Sequence, residues 1–327
     1  MNEFELIGRY FTRPVSEHRG IGDDCALLAA GITDLAVTTD MLVEDVHFLP
    51  GADPRRLGHK ALAVNLSDLA ATGAAPRAYF LSLALPRADP DWLERFAAGM
   101  FALAERHGCE LLGGDTVRAP RWRGADGPLT ISITALGNVE PHQALGRGGA
   151  RPGDDIWVSG TLGDAFLGLL VARGDVHVQA HDAEHFRERM DCPTPRVELG
   201  RALRGVASAA IDVSDGLAGD LGHVIARSGV GARVKVAALP RSAALARQPR
   251  DLQRRAVLGG GDDYELLFTA SAREREPLER VAQQLGVPLA RVGEITEAPA
   301  IAWLDENGRP FDPGIAGFDH FAPPLPA

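Results

Sequence analysis

Apolar and polar positions along the chain repeat with two periods, and each period predicts one kind of secondary structure. Residues 129–139 contain the alternating run Thr-Ile-Ser-Ile-Thr-Ala-Leu, which is typical of a strand with one buried face. Residues 3–12 carry apolar side chains three and four positions apart, as in a short amphipathic helix. A longer helix is predicted over residues 54–72, because Pro54 stands at its start and Gly73 just past its end.

Strands and helices alternate over the whole chain, which predicts an α/β fold. The other predicted strands are residues 35–39, 77–85, 156–159, 209–213, 264–269 and 289–295. The other predicted helices are residues 91–106, 163–172, 217–227 and 273–285, with a surface helix and loop over 175–195. A turn-rich stretch at residues 146–154 interrupts the pattern, so we predict two domains, residues 1–145 and 146–327. Two domains also fit the length of 327 residues.

Charge and composition exclude several classes of protein. The chain has 34 Lys and Arg against 44 Asp and Glu, a formal net charge of −10 that argues against a general nucleic-acid binder. We expect no membrane span and no signal peptide, because there is no run of 18 apolar residues and no charged-then-apolar leader. Three widely spaced cysteines, Cys25, Cys109 and Cys192, form no metal or redox motif, which favours a cytoplasmic location.

Six short acidic clusters, most of them beside glycine, are the main candidates for chemistry. They are residues 20–26 (Gly-Ile-Gly-Asp-Asp-Cys-Ala), 38–48, 65–68 (Asn-Leu-Ser-Asp), 113–116 (Gly-Gly-Asp-Thr), 212–216 (Asp-Val-Ser-Asp-Gly) and 259–265 (Gly-Gly-Gly-Asp-Asp-Tyr-Glu). Mg²⁺ prefers carboxylate, water and phosphate oxygens, and flanking glycines let a phosphate approach the backbone. Each cluster also has a structural interpretation: Asp215 as a helix N-cap, or Asp262 and Asp263 as turn residues. Together they favour a site with several magnesium ions.

Two further segments are candidates for binding an anion. Arg147-Gly148-Gly149 offers a guanidinium beside a permissive backbone, and its structural alternative is an interdomain linker. Residues 160–164 precede a predicted helix whose N-terminus is suited to an anion, although Thr161 alternatively only caps that helix. Neither Lys60 nor Lys235, the two lysines of the chain, ends a P-loop motif, so a P-loop nucleotide site is excluded.

The six clusters occur in an order that resembles bacterial thiamine-monophosphate kinases. The motifs that carry the resemblance are Gly-Ile-Gly-Asp-Asp-Cys-Ala, Thr-Thr-Asp-Met-Leu-Val-Glu-Asp-Val-His-Phe, Lys-Ala-Leu-Ala-Val-Asn-Leu-Ser-Asp-Leu-Ala-Ala-Thr-Gly-Ala, Gly-Gly-Asp-Thr, Ile-Asp-Val-Ser-Asp-Gly-Leu and Gly-Gly-Asp-Asp-Tyr-Glu-Leu. The resemblance extends from about residue 3 to Phe-Asp-His-Phe at 318–321. The wider superfamily, with aminoimidazole ribonucleotide synthetase, selenophosphate synthetase and a hydrogenase maturation protein, shares the fold and ATP site but lacks the full series.

The resemblance implies a two-domain fold of the aminoimidazole ribonucleotide synthetase type. Residues 1–145 would form a mixed-sheet domain that binds ATP and metal and makes a homodimer, and residues 146–327 an α/β domain that completes the cleft. The family's metal-binding positions match Asp24, Thr38, Thr39, Asp40, Asp68, Asp115, Asp212 and Asp215. Its nucleotide contacts match Gly114, Asp115, Arg147 and Ser214. Its substrate contacts match His47, Asp262, where the family often has Glu, and Phe318.

The activity implied is transfer of the γ-phosphoryl group of ATP to thiamine monophosphate, with several Mg²⁺ ions and no phosphoenzyme. One alternative is another enzyme of the superfamily, which would leave thiamine monophosphate unreacted. A selenophosphate synthetase is expected to have a reactive Cys or selenocysteine beside a Lys, and a hydrogenase maturation protein a C-terminal Cys, whereas this sequence ends Pro-Pro-Leu-Pro-Ala. A second alternative is a silent nucleotide-binding scaffold, against which the intact aspartate series argues.

Overall fold

A computed structural model describes residues 26–30, 32–121, 126–315 and 317, and its strands form two sheets. The first sheet consists of β1 (Ala26–Ala30), β2 (Thr33–Val43), β3 (Ala75–Leu85), β4 (Glu110–Arg118) and β5 (Thr130–Val139), in the order β1-β2-β5-β3-β4. The second consists of β6 (Asp154–Ser159), β7 (Ala207–Val213), β8 (Gly231–Lys235), β9 (Glu265–Ser271), β10 (Leu289–Thr296), β11 (Ile301–Leu304) and β12 (Pro310–Phe311). Its order is β12-β11-β8-β10-β6-β9-β7. Both sheets mix parallel and antiparallel pairs.

Helices pack against both sheets. They are α1 (Pro54–Thr72), α2 (Pro90–Arg106), α3 (Asp164–Arg173), α4 (Ala180–Asp191), α5 (Val197–Ala202), α6 (Leu217–Ser228), α7 (Ala243–Ala246), α8 (Arg250–Gly259) and α9 (Arg275–Leu285). The predicted α/β fold with mixed sheets is therefore confirmed. Within the described ranges, no helix is long and apolar enough to cross a membrane.

Most predicted elements are present, and the differences have physical reasons. The predicted helix over residues 3–12 lies outside the described residues. The predicted strand over residues 35–39 is too short: β2 continues to Val43, so Asp40 lies inside the strand and is not at its end. Thr39 and Asp40 look like a strand terminus, but the backbone of Asp40 stays paired with Ile133 of β5. The predicted surface helix within 175–195 is α4, and it buries Phe186 completely.

Helix α1 lies between the two halves of the molecule, each of which contains one of the two sheets. Its N-cap is Asp53, whose carboxylate accepts hydrogen bonds from the amides of Arg55 and Arg56 at 3.0 and 3.1 Å. It ends at Gly73, which adopts a left-handed conformation with φ 73°. Most of its side chains are buried, and it packs against α2 and β2 on one side and against α5 and β7 on the other. Residues of α1 are therefore able to contact both sheets.

The crossing of α1 and α2 depends on two glycines. A Cβ atom added to Gly99 would lie 1.8 Å from the carbonyl oxygen of Arg55, and one added to Gly58 would lie 2.0 Å from the carbonyl oxygen of Phe96. Because both obstacles are backbone atoms, Gly99→Ala is expected to destabilise the protein by about 1–3 kcal/mol, despite the higher helix propensity of alanine. Urea unfolding monitored by circular dichroism measures this change.

A second glycine-to-alanine variant is the control for that measurement. Gly222 lies within α6, and a Cβ atom added there would meet nothing within 4 Å. Gly222→Ala is therefore expected to stabilise the protein by up to about 1 kcal/mol. Equal stability of the two variants would contradict the close crossing of α1 and α2.

Candidate functional site

A cavity of about 1000 Å³ lies at the junction of the two halves. Its walls are the end of β2 with the following loop, one face of α1, the α3–α4 pair, and the segments after β7 and before β9. Eight of the residues predicted from the sequence line it: Thr39, Asp40, His47, Asp68, Asp212, Ser214, Asp215 and Asp262. The fold thus brings together four acidic clusters that are far apart along the chain.

Ser67 and Asp68, two consecutive residues of α1, connect the cavity to both sheets. The hydroxyl of Thr38, which is buried on β2, donates a hydrogen bond to the carboxylate of Asp68. The hydroxyl of Ser67 donates to the carboxylate of Asp212 at the end of β7, over 2.6 Å. Asp212 is only 3% exposed. Hydroxyl donors therefore hold the carboxylates of Asp68 and Asp212 in place, and both residues line the cavity.

The segment after β7 does not support the structural interpretation of Asp215. Helix α6 has Gly216 as its N-cap, so the Asp215 side chain does not cap it. The backbone amide of Asp215 instead donates to the carboxylate of Asp220 at 3.2 Å, and Asp215 lines the cavity. Asp215 is therefore a residue of the cavity wall and not the cap of α6.

The glycine-rich loop before β9 adopts an unusual backbone conformation. Asp262 and Tyr264 have φ values of 62° and 52°, a left-handed region that is costly for residues other than glycine. Their amides donate to the carbonyl oxygens of Ser214 and Val213, at 2.7 and 2.9 Å. Between them, both carboxylate oxygens of the buried Asp263 accept a bifurcated hydrogen bond from the amide of Gly163, at 3.0 and 2.9 Å. The loop therefore points Asp262 into the cavity and Asp263 into the interior.

Negative charge is concentrated around Tyr264. Burial raises the pKa of its hydroxyl well above the ordinary value, and the carboxylates of Asp262, Asp40 and Asp212 raise this pKa further. Burial likewise raises the pKa of Asp263 well above the usual range of an aspartate. The cavity is thus an acidic site, and Tyr264 lies in its wall among these carboxylates.

Lys60 is a site residue that the sequence analysis missed. It lies on α1, is 4% exposed, and places its ammonium 2.5 Å from a carboxylate oxygen of Asp262. Lys60, Val64 and Asp68 follow one another at steps of four residues, so they share a helix face, and all three line the cavity. This spacing, together with the rarity of lysine in the chain, is the signal from which Lys60 could have been predicted as a site residue.

Arg56 extends the same helix face to the rim of the cavity. Its guanidinium forms ion pairs with Glu184, Glu188 and Asp191 of α4, at 3.0, 3.1 and 3.6 Å. Burial raises the pKa of Asp191, while the charges of Lys60 and Arg56 act in the opposite direction. Helix α4 is therefore tied to α1 along the wall of the cavity.

Several predicted residues lie elsewhere. Asp115 and Gly114 lie on β4, three strands away from β2, a separation of roughly 14 Å at ordinary strand spacing. A Cβ atom on Gly114 would lie 1.7 Å from the carbonyl oxygen of Leu81, so strand pairing alone requires a glycine there. Arg147 lies near α6, and its carbonyl oxygen accepts a hydrogen bond from the Ser228 hydroxyl at 3.3 Å. Asp24 and Phe318 lie outside the described residues.

The donor set of the cavity fits magnesium bound jointly with a phosphate ligand. Among the side chains that the structure describes, no three His, Cys, Asp or Glu form a group that could hold an ion by themselves. Mg²⁺ in proteins commonly takes only one or two carboxylates and completes its octahedron with water and substrate phosphates. Asp40, Asp68, Asp212 and Asp215 offer such carboxylates around one space large enough for a ligand.

Comparisons with known proteins agree with the two-sheet architecture. Residues 22–139 match the family AIR synthase related protein, N-terminal domain, and residues 151–304 match AIR synthase related protein, C-terminal domain. The thiamine-monophosphate kinase of Salmonella typhimurium is 46% identical over 98% of this chain and 99% of its own length.

Solved structures give the same result. The thiamine-monophosphate kinase from Stenotrophomonas maltophilia K279a superposes with a TM-score of 0.79 and 48% identity, covering 87% of this chain and 90% of that chain. AaThiL complexed with AMPPCP and TMP superposes with a TM-score of 0.82 and 31% identity, covering 98% of this chain and 97% of that chain. The similarity therefore includes both sheets and the junction that holds the cavity.

Proposed function

The chain belongs to the thiamine-monophosphate kinase family, and we propose that it transfers the γ-phosphoryl group of ATP to thiamine monophosphate, forming thiamine diphosphate. This is the last step of thiamine diphosphate biosynthesis. The observation that carries the proposal is the acidic cavity between the two halves, in a chain similar over nearly its full length to AaThiL, which was solved with AMPPCP and TMP.

The acceptor needs no general base. A phosphate monoester has a second pKa near 6, so thiamine monophosphate is largely dianionic at neutral pH and is itself the nucleophile. The obstacle is repulsion between two polyanions, since unit charges 4 Å apart interact by about 4 kcal/mol at an effective dielectric constant of 20. The residues of the cavity therefore need to align donor and acceptor in line and to exclude water.

Several magnesium ions are part of the proposal. Asp40, Asp68, Asp212 and Asp215 would hold them at the cavity, and Asp24, Thr38, Thr39 and Asp115 are the further predicted ligands. Bound Mg²⁺ supplies positive charge that offsets the repulsion between the phosphates. The nucleotide contacts that we propose are Gly114, Asp115, Arg147 and Ser214, and the contacts to thiamine monophosphate are His47, Asp262 and Phe318.

Domain roles and a homodimer complete the proposal. Residues 1–145 would form the ATP-binding, metal-binding and dimerising domain, and residues 146–327 the domain that completes the cleft. Met41, Phe80 and Val117 support the dimer: the strand register places them on one face of the first sheet, opposite α1, and they are 57%, 40% and 52% exposed. We also propose a cytoplasmic location, which the three widely spaced cysteines favour.

The experiment is an assay of purified protein with Mg-ATP and thiamine monophosphate, in which thiamine diphosphate is separated and quantified. Unphosphorylated thiamine replaces the acceptor in the control reaction. We expect thiamine diphosphate only from the monophosphate, loss of its formation on chelation with EDTA, and recovery on addition of excess Mg²⁺. Hydrolysis of ATP without any thiamine diphosphate would refute the proposed function and favour another enzyme of the superfamily.

A further inference from the structure

We propose that Lys60 is a positioning residue for the acceptor: its ammonium holds the Asp262 carboxylate in the orientation that binds thiamine monophosphate. The inference rests on the proposed function and deepens it. Neither the acidic clusters nor the predicted ligand set includes this lysine. The pair joins two distant parts of the chain, because Lys60 lies on α1 and Asp262 on the glycine-rich loop before β9.

The contact between Lys60 and Asp262 is close and largely shielded from water. Nζ of Lys60 lies 2.5 Å from Oδ2 of Asp262, and the two side chains are 5% and 34% exposed. An ion pair of this kind is directional and holds its members more firmly than an exposed surface pair. Because Asp262 keeps a third of its side chain accessible, it remains able to contact a ligand in the cavity.

The loop itself explains why Asp262 needs an external partner. Three glycines precede Asp262, and Gly261, Asp262 and Tyr264 all have left-handed backbones. Hydrogen bonds fix the backbone of the loop to Ser214 and Val213, but they do not fix the χ angles of Asp262. Within the loop, the Tyr264 hydroxyl donates a hydrogen bond to the Asp262 carboxylate. Lys60 reaches the same carboxylate from the buried helix α1, so it adds a constraint from outside the loop.

The charge balance of the cavity supports the same role. Eight aspartates line the cavity, and five of them are predicted site residues: Asp40, Asp68, Asp212, Asp215 and Asp262. A dianionic phosphate would be repelled by an unpaired Asp262 carboxylate. Lys60 neutralises that carboxylate, and its charge also reaches Asp191 of α4. Loss of the ammonium would therefore leave the Asp262 carboxylate held only from within its own loop and add repulsion at the acceptor's side of the cavity.

Steady-state kinetics of four single variants and one double variant tests the inference. We expect Lys60→Met to raise KM for thiamine monophosphate by about tenfold or more, as for loss of a residue that orients a binding group, with less change in KM for ATP. Lys60→Arg keeps the charge and is expected to recover most of the loss. Lys235→Met removes the other lysine, which is exposed on β8, and is the matched control with unchanged kinetics.

The Asp262→Asn background separates positioning from direct binding. If Lys60 acts through Asp262, adding Lys60→Met to Asp262→Asn has little further effect on KM for thiamine monophosphate. Additive effects would overturn the inference, because Lys60 would then act independently of Asp262. An unchanged KM in a folded Lys60→Met or a Lys60→Arg no better than Lys60→Met would also overturn it. Wild-type protein that forms no thiamine diphosphate would instead overturn the proposed function, and the inference with it.

Discussion

Replacing Asp68 by Asn is expected to lower kcat for thiamine diphosphate formation by on the order of 10²–10³-fold, the usual effect of removing one electrostatic contact from a transition state. Asp68 lines the cavity and accepts a hydrogen bond from Thr38 of the first sheet. Its chain neighbour Ser67 donates to Asp212 of the second sheet. Asparagine has the same shape and still accepts the hydrogen bond from Thr38. The variant therefore removes a charge and a proposed metal ligand while leaving the packing of α1 intact.

The control for Asp68→Asn removes a different negative charge from the same cavity. Glu184 lies on the wall formed by α4, its side chain is 64% exposed, and it pairs with Arg56. Glu184→Gln is expected to change kcat by less than about twofold, because a rim charge is screened by solvent. Both variants should unfold at the wild-type urea concentration. A normally folded Asp68→Asn with near-normal kcat would contradict the role given to this carboxylate.

The second large effect concerns stability. Glu265 is completely buried and accepts hydrogen bonds from Ser159 at 2.6 Å, from Arg196 at 2.6 Å through two nitrogens, and from Arg189 at 3.0 Å. Burial opposes the charge of Arg196, yet the bonds to Glu265 raise the pKa of its guanidinium overall. Glu265→Ala would leave two partly buried guanidinium groups without their shared carboxylate. It is expected to reduce the free energy of unfolding by about 3–5 kcal/mol.

An exposed ion pair is the comparison for Glu265. Glu294 of β10 pairs with Arg233 of β8, and the two side chains are 49% and 50% exposed. Glu294→Ala is expected to cost less than about 1 kcal/mol, because solvent screens such pairs. Urea unfolding of both variants measures the difference. Equal losses would show that the buried network around Glu265 contributes no more than a surface pair.

Local signals in the sequence were sufficient to predict most of the fold. Helix α1 begins and ends as predicted because proline and glycine mark its two ends. Strand β4 was missed because Gly113, Gly114 and Asp115 are poor strand formers, and its pairing with β3 is a tertiary contact. Strand β2 was predicted too short because its polar residues are stabilised by neighbours that the local pattern does not show.

Some residues of the site could likewise be predicted from the sequence, and others could not. Asp68, Asp212 and Asp215 were predicted through short motifs, and the structure brings them to one cavity. Lys60 was not predicted as a site residue, because its partner Asp262 lies 202 residues further along the chain. No local sequence pattern extends over such a separation. The left-handed backbone of Asp262 and Tyr264 could not be predicted from the sequence either, because it is accompanied by hydrogen bonds to residues at the end of β7.

The most direct test of the account follows the phosphoryl group itself. Purified protein is incubated with Mg-ATP labelled with phosphorus-32 at the γ position, with and without thiamine monophosphate, and label is measured in thiamine diphosphate and in acid-precipitated protein. Direct transfer predicts label in thiamine diphosphate in the same amount as the ADP formed, and none on the protein. Label on the protein that passes into thiamine diphosphate when the acceptor is added, or thiamine diphosphate without label, would contradict it.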